Sequence, residues 1–89
     1  MRQRNIPVQV IAHCDADGAI RPLRFRFEDD GHAVHTVRID EVADCRHVEY
    51  LGIETFVFLC KASGDGAERM FELRYTVRTH RWVLFREVY

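Results

Sequence analysis

The sequence predicts an all-β protein: about six antiparallel strands in a meander curled into a small barrel or two-layer roll, with at most one short helical turn near 41–51. Apolar and polar residues alternate with period two along most of the chain, the spacing of strands with one buried face. Asp-Gly occurs three times, at Asp17-Gly18, Asp30-Gly31 and Asp65-Gly66, each between two apolar runs, where the pair suits a tight turn. An open sheet would leave one set of apolar faces in water, so the sheet is expected to curl. The 89 residues make one all-β domain, 1–89, large enough to fold around a small core.

The first strand, 6–14, places Ile6, Val8, Val10, Ala12 and Cys14 on one face. After it, DADG copies the opening of a calcium loop. The copy fails at the twelfth position from Asp15, which is Arg26 where a bidentate glutamate is required, so the stretch reads as a turn. The second strand, 19–28, puts Leu23, Phe25 and Phe27 on one face and Arg24, Arg26 and Glu28 on the other. A three-residue loop, Ala16-Asp17-Gly18, with Gly18 left-handed sets Cys14 opposite Ile20. Ile20 is even and Leu23 odd, so one extra residue is needed at Arg21-Pro22, after which Ala12 meets Leu23, Val10 meets Phe25 and Val8 meets Phe27. Proline lacks the ladder N–H and fits a bulge or an edge.

The third strand, 32–42, follows a loop of Asp29-Asp30-Gly31 that pairs Phe25 with His35 and Leu23 with Val37. In ADCRHVEYLG, 43–52, the apolar Val42, Cys45, Val48 and Leu51 recur every three residues. That spacing permits a turn or two of helix and an irregular strand equally, and the segment is taken as a connection. The fourth strand, 53–62, is apolar on both faces, with Phe56, Phe58 and Cys60 against Val57 and Leu59, and so should be central or covered outside. The fifth, 67–78, sets Phe71, Leu73, Tyr75 and Val77 against Glu72, Arg74, Thr76 and Arg78. The sixth, 81–88, is again doubly apolar and follows Arg78-Thr79-His80, a tight turn without glycine.

Composition narrows the function classes. Hydrophobic content of 47% and charged content of 30% are those of a soluble globular chain. The N-terminal apolar run is short and broken by Gln9 and His13, which fits neither a secretory signal nor a membrane span, so a cytoplasmic location is expected. Cys14, Cys45 and Cys60 cannot all pair within one chain and lack the C-x-x-C spacing of a zinc ribbon. His13-Cys14 and Cys45-x-His47 could meet Cys60 only through the fold, and no metal or cofactor is expected. Net charge is −1, which disfavours strong nonspecific nucleic-acid binding, yet twelve of the thirteen basic residues are arginine and only Lys61 is lysine.

The strings AIRPLRFRFEDDG, VRIDEV, FVFLCKA and FELRYTVRTHRWVLF resemble a family of small uncharacterised bacterial all-β proteins of unknown function, known largely from anaerobic Gram-positive genomes. The resemblance covers nearly the whole chain. It implies a compact all-β domain and supplies no activity.

No catalytic group is expected. Ser63 sits in a turn outside any nucleophile elbow, and Cys45 has only His47 or His35 as a candidate base. Arg24, Arg26, Arg74 and Arg78 alternate with buried residues and form a candidate anion patch, unless Glu28, Glu72 and Asp40 neutralise them across strands. Reading single-stranded nucleic acid needs exposed aromatics, for which only Tyr50, Trp82 and Tyr89 are available. The expectation is a non-catalytic interaction or self-assembly domain, with a homodimer mate or protein partner covering the apolar strands 53–62 and 81–88. The alternative is a weak single-stranded nucleic-acid or acidic-ligand binding module using the arginine-rich outer face.

Overall fold

The computed structural model describes residues 2–64 and 66–88, with the side chains of 2–4 and 64 left aside. Seven strands form: β1 (Arg2–Cys14), β2 (Ile20–Glu28), β3 (Val34–Arg38), β4 (Glu41–Tyr50), β5 (Ile53–Gly64), β6 (Ala67–Thr76) and β7 (Arg81–Glu87). They make one strongly curled antiparallel sheet, a half-barrel with no helix among the described residues, in the order β3-β2-β1-β7-β6-β5-β4.

The first hairpin follows the alternation. Cys14 stands opposite Ile20 and Val10 opposite Phe25, with Gly18 at φ 88° in the left-handed region. The extra residue falls one place later than expected: Ala12 meets Pro22 and Ile11 meets Arg24, so Leu23 is the bulge. Pro22 is therefore buried, and Leu23, expected beside Phe25 and Phe27 in the core, is 39% exposed. Asp15 spends one carboxylate oxygen on the backbone N–H groups of Asp17 and Ala19, both at 3.0 Å. The DADG stretch thus holds its own turn.

The second hairpin corrects its expected register. Phe25 stands opposite Val37 and Phe27 opposite His35, so the loop lies one residue further on than Asp29-Asp30-Gly31 and each partner moves by two residues. The cause is that DDGHA superposes on DADGA at its first aspartate, Asp29 on Asp15, and not at its glycine. Asp29 accepts from the N–H groups of Gly31 and Ala33 at 2.9 Å, and the left-handed position falls on His32, φ 66°, instead of Gly31.

The expected third strand, 32–42, is two elements, and 43–52 is neither helix nor connection. Following the antiparallel pairings round the sheet makes β3 and β4 run in the same direction. One extended segment therefore serves both edges of the sheet. It changes partner between adjacent residues: the Ile39 N–H donates to Leu23 on β2 at 2.9 Å, and the Asp40 N–H donates to Lys61 on β5 at 2.8 Å. A bulge at Ala43, between the pairs Val42 with Cys60 and Asp44 with Leu59, puts Val42 and Cys45 on one face. That bulge accounts for the three-residue step from Val42 to Cys45, whereas the equal step from Cys45 to Val48 crosses from the inner to the outer face.

β5 and β6 keep the expected alternation, and β7 keeps it up to a bulge at Phe85, between the pairs Leu73 with Leu84 and Glu72 with Arg86. β5 and β6 pair without a break from Thr55 with Thr76 to Gly64 with Ala67, leaving a two-residue connection in which Gly66 has φ 77° and Asp65 lies outside the described residues. β6 ends at Thr76 instead of Arg78; the Val77 N–H donates to the Glu54 carbonyl at 3.1 Å as a last rung of the ladder, and in the turn that follows His80 takes the left-handed position, φ 58°. β7 lies at the centre of the sheet, as its two apolar faces require.

Inside the curl, Phe25, Phe27, Phe58, Cys60, Ala62, Phe71, Leu73 and Leu84 form the core. Phe25 from β2 meets Phe71 from β6 edge to face at 5.2 Å, so the two ends of the sheet pack on each other. Trp82 closes one end against Phe58 at 5.5 Å and Tyr75 at 4.7 Å.

Candidate functional site

Alternation puts the arginines outside, but the sheet order does not bring the four predicted ones together. β2, with Arg24 and Arg26, is separated from β6, with Arg74, by β1 and β7, and Arg78 lies in the β6–β7 turn. Arg74 is fully engaged. Its Nε donates to Glu72 at 2.8 Å, and its guanidinium lies 3.5 Å over the ring of Phe85. Arg86 donates to the other oxygen of Glu72, also at 2.8 Å. Glu72 is only 2% exposed on the outer face of the sheet, where two charge-assisted hydrogen bonds offset the cost of its burial. Of the expected neutralisers, Glu72 acts on Arg74, Glu28 instead meets His32 at 2.5 Å, and Asp40 accepts from Ser63 at 2.7 Å.

On β2 the arginines meet a residue that the sequence reading missed. The corrected register sets Arg24 directly opposite Arg38, with Ile11 on its other side. Arg26 lies between Gln9 and Thr36. All six share the outer face and are exposed, and a depression of about 410 Å³ opens beside Gln9, Ile11, Arg24 and Arg26. Among the described residues, Arg24, Arg26 and Arg38 form no ion pair.

A second surface lies at the opposite edge. β4 is a ten-residue edge strand whose far side pairs with no described strand. On the outer face of the β4–β5 hairpin, Val48 (42%), Tyr50 (61%), Leu51 (89%) and Ile53 (44%) are exposed together. They surround a depression of about 400 Å³ bounded by Arg46 and Arg74. The hairpin turns on Leu51-Gly52, both at positive φ, 51° and 80°; that geometry suits Asn-Gly and strains leucine. On the strands 53–62 and 81–88, Ile53 is exposed, Val57 is buried and Phe85 lies under Arg74.

The titratable candidates are paired elsewhere. His47 bonds Glu54 at 2.5 Å and His35 bonds Asp29 at 2.6 Å, so both imidazoles that could serve Cys45 are held by carboxylates. Burial and the adjacent Asp44 push the Cys45 thiol up, and burial pushes Cys60 up to about 12, which disfavours the thiolate at both. Among the described residues no three His, Cys, Asp or Glu side chains converge as metal ligands do. Of the aromatics that could face a nucleic acid, Tyr50 is exposed, Trp82 is packed in the core, and Tyr89 lies outside the described residues. No family model, curated protein or solved structure matches this chain.

Proposed function

We propose that this is a non-catalytic self-assembly domain that joins a second copy of itself through the free edge of β4. The observation that carries this reading is an exposed apolar cluster on the β4–β5 hairpin, Val48 and Tyr50 from β4 with Leu51 in the turn and Ile53 from β5, beside the outer backbone groups of β4, which are unpaired among the described residues. Soluble proteins protect such edges with charges and bulges, because an open edge templates pairing. Here the protection is uneven. The bulge at Ala43 and the charges of Glu41 and Asp44 guard the first half of β4, whereas the second half carries exposed Val48 and Tyr50 beside Arg46 and Glu49.

A second β4 laid antiparallel across a two-fold axis at Val48 matches this half well. Val48 then faces Val48 of the second copy, Arg46 faces Tyr50 in cation–π range, and His47 faces Glu49. The hydrogen bonds of β-augmentation supply affinity, and the merged apolar cluster supplies register. The contact is small, so the dissociation constant is expected on the order of 10 μM.

Sedimentation equilibrium over a range of concentrations tests the reading. The unaltered protein should pass from monomer to dimer, and Val48→Lys, which sets two ammonium groups face to face, should remain monomeric with an unchanged fold. A monomer throughout, or a dimer that Val48→Lys leaves intact, would overturn it.

A further inference from the structure

We propose that Arg24, Arg26 and Arg38, with Gln9 and Thr36, form a binding site for a compact multivalent oxyanion of the phosphate class. This site lies on β1, β2 and β3, away from the β4 edge, and does not depend on how the protein assembles.

The argument starts from a cost. Arg24 and Arg38 stand directly opposite each other on neighbouring strands, an arrangement that destabilises a sheet through like-charge repulsion. Elsewhere in this protein Arg46 pairs with Asp44 and Arg69 with Glu87, while the exposed Arg21, Arg78 and Arg81 pair with no carboxylate among the described residues but have no arginine set directly opposite them on a neighbouring strand. Arg24, Arg26 and Arg38 find none among the described residues. The next residue along this face of β2, Glu28, is occupied by His32. A bound anion turns the repulsion into a shared attraction, and three planar guanidinium groups offer the paired donors that phosphate oxygens accept.

The neighbours fit the same ligand. Gln9 and Thr36, on either side of Arg26, add an amide and a hydroxyl, and the depression beside Arg24 and Arg26 has room for a diphosphate. The strand pairings hold the set in two rows, so little order is lost on binding. Base stacking has no platform here, because Phe25 and Phe27 of β2 turn into the core. A compact oxyanion is therefore favoured over single-stranded nucleic acid.

Titration of the ¹⁵N-labelled protein with inorganic pyrophosphate near physiological salt, followed by NMR, tests the site. Saturable shifts should centre on β2 and β3. Arg24→Gln and Arg38→Gln should each weaken binding roughly tenfold or more, as expected for loss of a charge-assisted hydrogen bond. Arg46→Gln, on the other edge, should leave binding unchanged. Thermal melts separate function from folding, since Arg38→Gln should melt no lower than the unaltered protein once the repulsion is relieved. No saturable shift, equal weakening by Arg46→Gln, or tighter binding of an oligouridylate than of pyrophosphate at the same residues would overturn the proposal.

Discussion

Asp15 and Asp29 do the same work at two hairpins, each tying two backbone N–H groups to one carboxylate oxygen. This residue-scale fact was present in the sequence as DADGA and DDGHA, but it is seen only when the two are aligned on the first aspartate. Alignment on glycine puts the second turn one residue early. That error hid Arg38, because a register pairing Phe25 with His35 sets Arg24 opposite Thr36. The hydrogen bond from His35, followed by that from the Ala33 N–H, holds the Asp29 carboxyl below its ordinary value of 3.8. A lowered folded value means that the ionised group contributes stability above the unfolded value, and that this contribution fades as pH falls through the folded one. Asp29→Asn should therefore lower the melting temperature at about pH 5, with the gap closing toward about pH 2. A gap constant with pH would mean that the charge is immaterial. Glu72 makes a second prediction at this scale. Glu72→Gln leaves two guanidinium groups without their shared carboxylate and should cost about 2–3 kcal/mol in urea unfolding. A loss below about 0.5 kcal/mol, the level of a surface substitution, would show that water already serves those arginines.

At the scale of elements, the strands with clean alternation were legible and the interrupted one was not. β5 and β6 pair with each other without a break, β1 and β7 keep period two on either side of one bulge each, and the bulge in β2 could be placed within a residue because the parity of Ile20 and Leu23 demanded it. β4 was missed because the bulge at Ala43, followed by an apolar Val48 on the outer face and Leu51 in the turn, gives an apparent period of three, and no local residue type marks the bulge. The partner switch at Ile39 and Asp40 is also silent in sequence, since each residue keeps an extended backbone and changes only the neighbour it bonds. The β4–β5 hairpin carries its own test. Leu51→Asn suits the left-handed position and should stabilise the monomer by about 0.5–1 kcal/mol, read from denaturant midpoints at low concentration. The same change should weaken dimerisation, because it removes the most exposed apolar side chain of the cluster. Lower stability would mean that Leu51 contributes packing worth more than its strain.

At the scale of the molecule, the curled sheet solves one problem and leaves another. Its interior packs β2 against β6, which covers the apolar faces that a flat meander would expose, and Glu72 with its arginines seals part of the outside. The half-barrel leaves β4 as a long free edge with apolar residues beside it. The central claim is that a second β4 fills that edge about an axis at Val48, which makes Val48 its own partner. The most direct measurement is therefore a mixing experiment with Val48→Lys and Val48→Glu, each purified separately and examined by sedimentation. The account predicts that each variant alone is monomeric and that an equimolar mixture forms a one-to-one heterodimer. A mixture that stays monomeric while the unaltered protein dimerises would place the interface elsewhere and contradict the account.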